Sequence, residues 1–260
     1  MDATFSRRNW LGFAPLAWPL AKILQARPAD IAPLPDTFPM QSTALVREIV
    51  AVSHGNFQRV RELVEEHPTL AKAAWDWGFG DWESALGAAS HTGNYDIAVY
   101  LIAHGARPTL FSATMMGHLE VVKAFVAAQP GVERTAGPHS ISLLAHAQNG
   151  GARAELVLRY LESLGDAGAP PTVPLTDAEM GALTGVYIFG DGPADRIEIT
   201  FTKGTLTFTR HGTVGRPLYH TGDRVFYPAG ASSVRIRFVE TTLTVHDPGL
   251  VLTAKRIPAG

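Results

Sequence analysis

Residues 84–108 read SALGAASHTGNYDIAVYLIAHGARP, and this stretch decides how the first part of the chain folds. Ala85, Gly87, Ala88 and Ala89 are small enough for a short helix to lie close against its neighbours. Gly93 supplies a turn, and the run from Tyr95 to Ala103 carries apolar residues at the 3.6-residue period of a one-faced helix. Gly105-Ala106 closes that helix and Pro108 prevents its continuation. A single helical hairpin of this kind cannot bury its apolar face, so the reading demands further copies.

Further copies are present. Gly117-His118-Leu119-Glu120-Val121-Val122-Lys123 repeats the turn and second helix, and Ser142 to Gly150 repeats the first helix. Ala51 to Asn56, running on to Leu63-Val64, supplies an earlier, more divergent copy. Slot for slot these segments resemble the ankyrin repeat, which implies an α-solenoid of about four helix pairs over residues 41–165. The turn glycines Gly55, Gly93, Gly117 and Gly150 are spaced 38, 24 and 33 residues apart, and only the last interval is the ankyrin period. The long first interval holds an enlarged finger, and the short second one leaves almost none. Leu86, Leu110 and Leu143 each precede a turn glycine by seven residues, so all three are expected in equivalent core positions.

Residues 166–177 contain Pro170-Pro171 and Pro174 and read as a stiffened linker. Beyond it the period changes from 3.6 to 2. Ile197, Ile199 and Phe201 alternate with polar residues, as do Leu206 with Phe208, Val234 with Ile236 and Phe238, and Leu243 with Val245. Seven or eight short antiparallel strands in residues 178–260 suit a small closed or half-closed barrel. Leu183-Thr184-Gly185-Val186-Tyr187 and Ala254-Lys255-Arg256 resemble the ends of the small lipocalin-like barrel appended to secreted serine hydrolases of the penicillin-binding class. That resemblance implies an accessory or ligand-sensing module. The chain has no Ser-x-x-Lys motif, so no catalytic residue carries over. The expected class is α+β multidomain, an ankyrin-type α-solenoid followed by a small antiparallel β-barrel.

Residues 1–29 read as a targeting segment. Ser6-Arg7-Arg8-Asn9-Trp10-Leu11 and the apolar run to Leu20 resemble the twin-arginine export signal, which implies a periplasmic or extracellular protein. No later stretch is long and apolar enough for a transmembrane helix. The chain has 260 residues, 46% hydrophobic and 18% charged, enough to bury a core. Its formal charge of −2 argues against a nucleic-acid partner. Charge is divided: +2 over residues 1–30, −6 over 31–177 and +2 over 178–260, so the barrel is expected to dock on the repeats, against the last one.

The absence of cysteine excludes disulfides, thiolate metal sites and cysteine nucleophiles. The serines form no Gly-x-Ser-x-Gly elbow, and no glycine-rich loop has a phosphate-cradling pattern. Ten histidines show no local zinc spacing. The residue pairs before the turn glycines, which face the concave surface in the ankyrin fold, include His54, His91 and Met116. His54 and His91 fall on adjacent helices, whose axes pack roughly 10 Å apart. That spacing is too wide for a shared metal, so no metal and no cofactor are expected.

Residues 75–83, WDWGFGDWE, are the strongest functional signal. Trp75, Trp77, Phe79 and Trp82 with Asp76, Asp81 and Glu83 crowd a connection that has no repeat duty, and aromatic anchors of this kind dominate binding surfaces. His139 and His146 are expected to converge at the domain boundary, His146 standing where other copies have Ala89 and Ala113. The reading is an exported, non-enzymatic binding protein that presents its concave face and aromatic finger to a protein partner or small polar ligand. The rival is a periplasmic enzyme acting on a carbohydrate or other small metabolite, with Glu83 and His91 as its acid–base pair.

Overall fold

A computed structural model describes residues 38–165, 167–168 and 172–257. Residues 1–29, read above as an export signal, and part of the linker lie outside the described residues. Among those described, four consecutive helix pairs precede a closed barrel. The pairs are α1 (Thr43–Val52) with α2 (Phe57–Glu66), α3 (Ala85–His91) with α4 (Tyr95–Ala103), α5 (Leu110–Met115) with α6 (Leu119–Ala128), and α7 (Leu143–Asn149) with α8 (Glu155–Leu164).

The first helix of every pair starts in the same way. Ser42, Ser84, Thr109 and Ser142 each accept, through the side-chain oxygen, the backbone N–H three residues on. Each satisfies an otherwise orphaned helix donor, worth about 1 kcal/mol. Leu86, Leu110 and Leu143 are all buried, as their common spacing predicts.

The packing departs from a one-dimensional stack, in which each repeat meets only its neighbours. Helix α7 lies against α5 and also against α3. Gly93 and Gly117 make that approach feasible: both have positive φ, and a Cβ on them would sit 2.2 Å from Asn149 O and 2.0 Å from Arg153 O respectively. Glycine is required here for its missing side chain as well as its backbone freedom.

The enlarged finger contains a short hairpin, β1 (Ala74–Asp76) with β2 (Trp82–Ser84), in which Trp75 stands opposite Glu83. A short helix α9 (Asp177–Ala182) then leads into the barrel, initiated by a reciprocal cap between Thr176 and Glu179. The barrel strands are β3 (Gly185–Ile188), β4 (Arg196–Thr202), β5 (Thr205–Arg210), β6 (Arg216–Gly222), β7 (Val225–Pro228), β8 (Arg235–Val239), β9 (Thr242–Asp247) and β10 (Leu250–Arg256). Each pairs antiparallel with the next, and β10 closes on β3, so no edge remains unpaired. Ile197, Ile199, Leu206, Phe208, Ile236, Phe238, Leu243 and Val245 point inward, as the two-residue period predicts. No helix among the described residues is long and apolar enough to cross a membrane.

Helices and barrel keep separate cores, and the contacts between them run through the finger and the loop before α7 rather than, as expected, through the last repeat's helices. The finger joins them: Phe79 packs on the barrel core, 5.8 Å from the Phe208 ring centre. The loop at residues 138–140 adds a further contact, through a 2.7 Å hydrogen bond from Gly230 N to Ser140 Oγ.

Candidate functional site

The finger and the 138–140 loop bring together side chains that are far apart in sequence. Glu83 is fully buried at the base of the finger. Its Oε2 accepts a 2.7 Å hydrogen bond from Trp77 Nε1 and lies 3.4 Å from His139 Nε2 and 3.5 Å from His54 Nε2. Its Oε1 lies 2.8 Å from His91 Nε2 yet has no well-aligned hydrogen-bond donor. His91 Nε2 is in turn 3.1 Å from His54 Nε2. The expectation that helix spacing would hold these two histidines apart is therefore corrected: the ring of His54, in the turn after α1, and that of His91, at the end of α3, reach one another, with centres 4.9 Å apart.

Asp81 organises the other side. Its carboxylate accepts from His139 N at 3.0 Å, His139 Nδ1 at 2.7 Å and Arg216 Nη1 at 2.8 Å. Arg216 also donates to Ala229 O at 2.7 Å. His139 and Ser140 both hold left-handed backbone, with φ of 58° and 60°. Such conformations cost on the order of 1 kcal/mol or more each and persist where surrounding contacts fix them. Here Asp81 grips His139 through its backbone and ring, while Ser140 Oγ holds Gly230.

Charges follow this geometry. Burial pushes the Glu83 carboxyl up, but the His139 and His91 side chains outweigh it and hold the group down at about 2. Burial likewise opposes ionisation of Asp81, and hydrogen bonds from His139 and Arg216 bring it below the ordinary aspartate range. His139 is pulled down by burial and raised, on balance, to about 9 by the two carboxylates. His146 is the opposite case, driven to about 4 by burial.

A cavity of about 410 Å³ opens beside this cluster, between helices and barrel. His54, Trp77 and His139 line one side, and Arg216, Pro217 and Tyr219 the other. The carboxylate and His91 lie behind this lining.

The remaining sequence candidates separate clearly. Trp75 packs on the first helical core and Phe79 on the barrel, while Trp82 is 64% exposed and outside the cavity. Met116 is half-buried in the first helical core, away from the cluster. His146 is fully enclosed, its Nδ1 donating to Ser142 O at 2.8 Å and its ring tilted against Phe111 with centres 4.9 Å apart, so it does not reach the cavity. Asp76 serves the finger's own turn, accepting from Gly78 N. Arg216 and Tyr219 escaped the sequence reading, since neither belongs to a motif; the opposite charges of the two halves were the only pointer. No protein-family model, no curated protein and no solved structure matches this chain.

Proposed function

We propose that this is an exported binding protein that captures a small polar ligand in the cavity between its helices and its barrel. One observation carries the reading: Trp77, His54 and His139, from the finger and loops of the helical half, line with Tyr219 and Arg216 of the barrel a single 410 Å³ space. That volume falls within the range of small-molecule sites, and a few polar groups among apolar ones is their usual composition. The arrangement favours a small ligand over a protein partner, because Trp77 turns inward and Trp82 alone of the finger tryptophans is broadly exposed. It favours binding over turnover, because Glu83 and His91, the proposed acid–base pair, both lie behind the lining.

In this reading the helices are a short ankyrin-type array in which the finger between the second and third pairs is almost missing. The barrel is a lipocalin-like accessory module that closes the site, and the Arg7-Arg8 segment directs export. The test is a thermal-shift screen of the full chain against sugars, small organic acids and amino acids, since a ligand that prefers the native state raises the melting temperature. A hit should quench or shift Trp77 emission and lose its effect in Tyr219→Ala. A hit that is indifferent to Tyr219→Ala and to Trp77→Phe would place binding elsewhere and contradict the reading.

A further inference from the structure

We propose that His54, His91, His139 and Glu83 together bind one divalent transition-metal ion of the zinc class. Each offers one ligand atom, and no two of these atoms are more than 4.8 Å apart. The separations from His91 Nε2 are 3.1 Å to His54 Nε2 and 2.8 Å to Glu83 Oε1. A tetrahedral ion with bonds of about 2.0–2.1 Å sets its ligand atoms roughly 3.3 Å from one another. Three imidazoles and one carboxylate suit zinc, cobalt or iron far better than calcium or magnesium.

The hydrogen bonds behind the cluster supply the independent argument. His54 Nδ1 lies 3.0 Å from Ala51 O and 3.2 Å from Val50 O. A carbonyl only accepts, so Nδ1 carries the proton and Nε2 presents a lone pair to the cluster. His139 Nδ1 donates to the Asp81 carboxylate, so Nε2 is the nitrogen turned toward the cluster, and a metal would take that place by displacing the Nε2 proton. A backbone carbonyl and a carboxylate are the partners that orient metal-bound histidines from behind. Trp77 holds Glu83 Oε2 and leaves Oε1 buried without an aligned donor.

Ligand atoms from separate side chains thus converge on the fully buried Glu83 Oε1, and a buried carboxylate oxygen without a partner is costly. A proton on His91 Nε2 bridges at most two of these atoms; one cation satisfies all four. The ion would form the polar end of the cavity, but the site stands on its own ligands and not on capture of an organic molecule.

The test uses the full chain without an affinity tag, stripped with a chelator and titrated with Zn²⁺ by calorimetry and with Co²⁺ by visible absorption. One equivalent of each is expected, with the intense visible bands of tetrahedral Co²⁺. His54 is half-exposed at the cavity edge, so His54→Ala should keep the metal-free fold. It should weaken Zn²⁺ binding by more than the roughly 100-fold that loss of an outer partner costs, while the exposed His104→Ala leaves binding unchanged. Zinc X-ray absorption on the unaltered chain is a readout that needs no variant: it should report nitrogen and oxygen ligands at about 2.0–2.1 Å with imidazole scattering. Failure to bind one equivalent, an unaltered affinity in His54→Ala, or a shell of water oxygens alone would overturn the assignment. Because no organic ligand is added, these outcomes are independent of the thermal-shift screen.

Discussion

Asp81 and Arg216 stand 135 positions apart and form a buried ion pair of 2.8 Å between finger and barrel. The same carboxylate fixes His139, so one residue both attaches the barrel and sets the geometry of the site. Removing it strands a buried guanidinium and frees a strained loop. Asp81→Ala is expected to cost about 3–5 kcal/mol in urea denaturation. In a double-mutant cycle with Arg216→Met the two losses should be less than additive, with coupling above roughly 0.5 kcal/mol. Additive losses would mean that the pair does not act as a unit.

Gly230 offers a controlled test of the same junction. Its φ is +80°, and a Cβ there would meet Asp81 Cγ at 2.1 Å. Gly204 has nearly the same φ, +77°, with nothing within 4 Å. Gly204→Ala should therefore lose only the backbone term of about 1–2 kcal/mol, whereas Gly230→Ala should lose that and also displace the Asp81 carboxylate. Melting temperatures of the two variants measured side by side decide it, and equal losses would show that the finger yields freely.

His146 gives the acid dependence. Its pKa, about 4 in the folded chain, is below the ordinary value of 6.5 because burial penalises the charged ring. The unfolded chain therefore binds the extra proton first, and stability falls as pH drops from 6.5 through 4. The loss contributed by this group reaches about 3 kcal/mol once pH is below both values. Ser142 O also accepts the backbone N–H of residue 146, so losing the ring does not orphan it. His146→Leu should flatten the slope between pH 6.5 and 4 in equilibrium denaturation of the metal-free chain. An unchanged slope would assign it to other groups.

The finger tryptophans should separate by role. Trp77→Phe keeps a ring on the cavity wall and removes the N–H that holds Glu83 Oε2. It is expected to weaken Zn²⁺ binding by about 10–100-fold, as loss of an outer-shell partner does. Trp82→Ala, at an exposed position, should change neither Zn²⁺ affinity nor melting temperature appreciably. Calorimetry on both variants would show the contrast, and equal effects would argue against the orienting role of Trp77.

The architecture was legible in sequence where it depends on local period and turn chemistry. The helix pairs follow from apolar spacing and turn glycines, and the barrel from alternation in Ile197–Phe208 and Ile236–Val245. Helix α9 was missed although Thr176 and Glu179 carry a capping-box spacing, because the prolines before it dominated the reading. Most of the candidate site was named: His54, Trp77, Glu83, His91 and His139 all lie in it. Their convergence was not legible, because it depends on how far side chains reach between helices and on a loop that enters from the third connection. A distance inferred from helix axes ignores the several ångströms an imidazole spans. Arg216 and Tyr219 depend on how the barrel docks, which no local pattern in residues 178–260 encodes.

The most direct measurement is an anomalous-difference map from crystals of the full chain grown with Zn²⁺. The account predicts one peak among His54 Nε2, His91 Nε2, His139 Nε2 and Glu83 Oε1, about 2.0–2.2 Å from each. A fully ordered cluster with no peak, or zinc bound only at surface histidines such as His104, would contradict it.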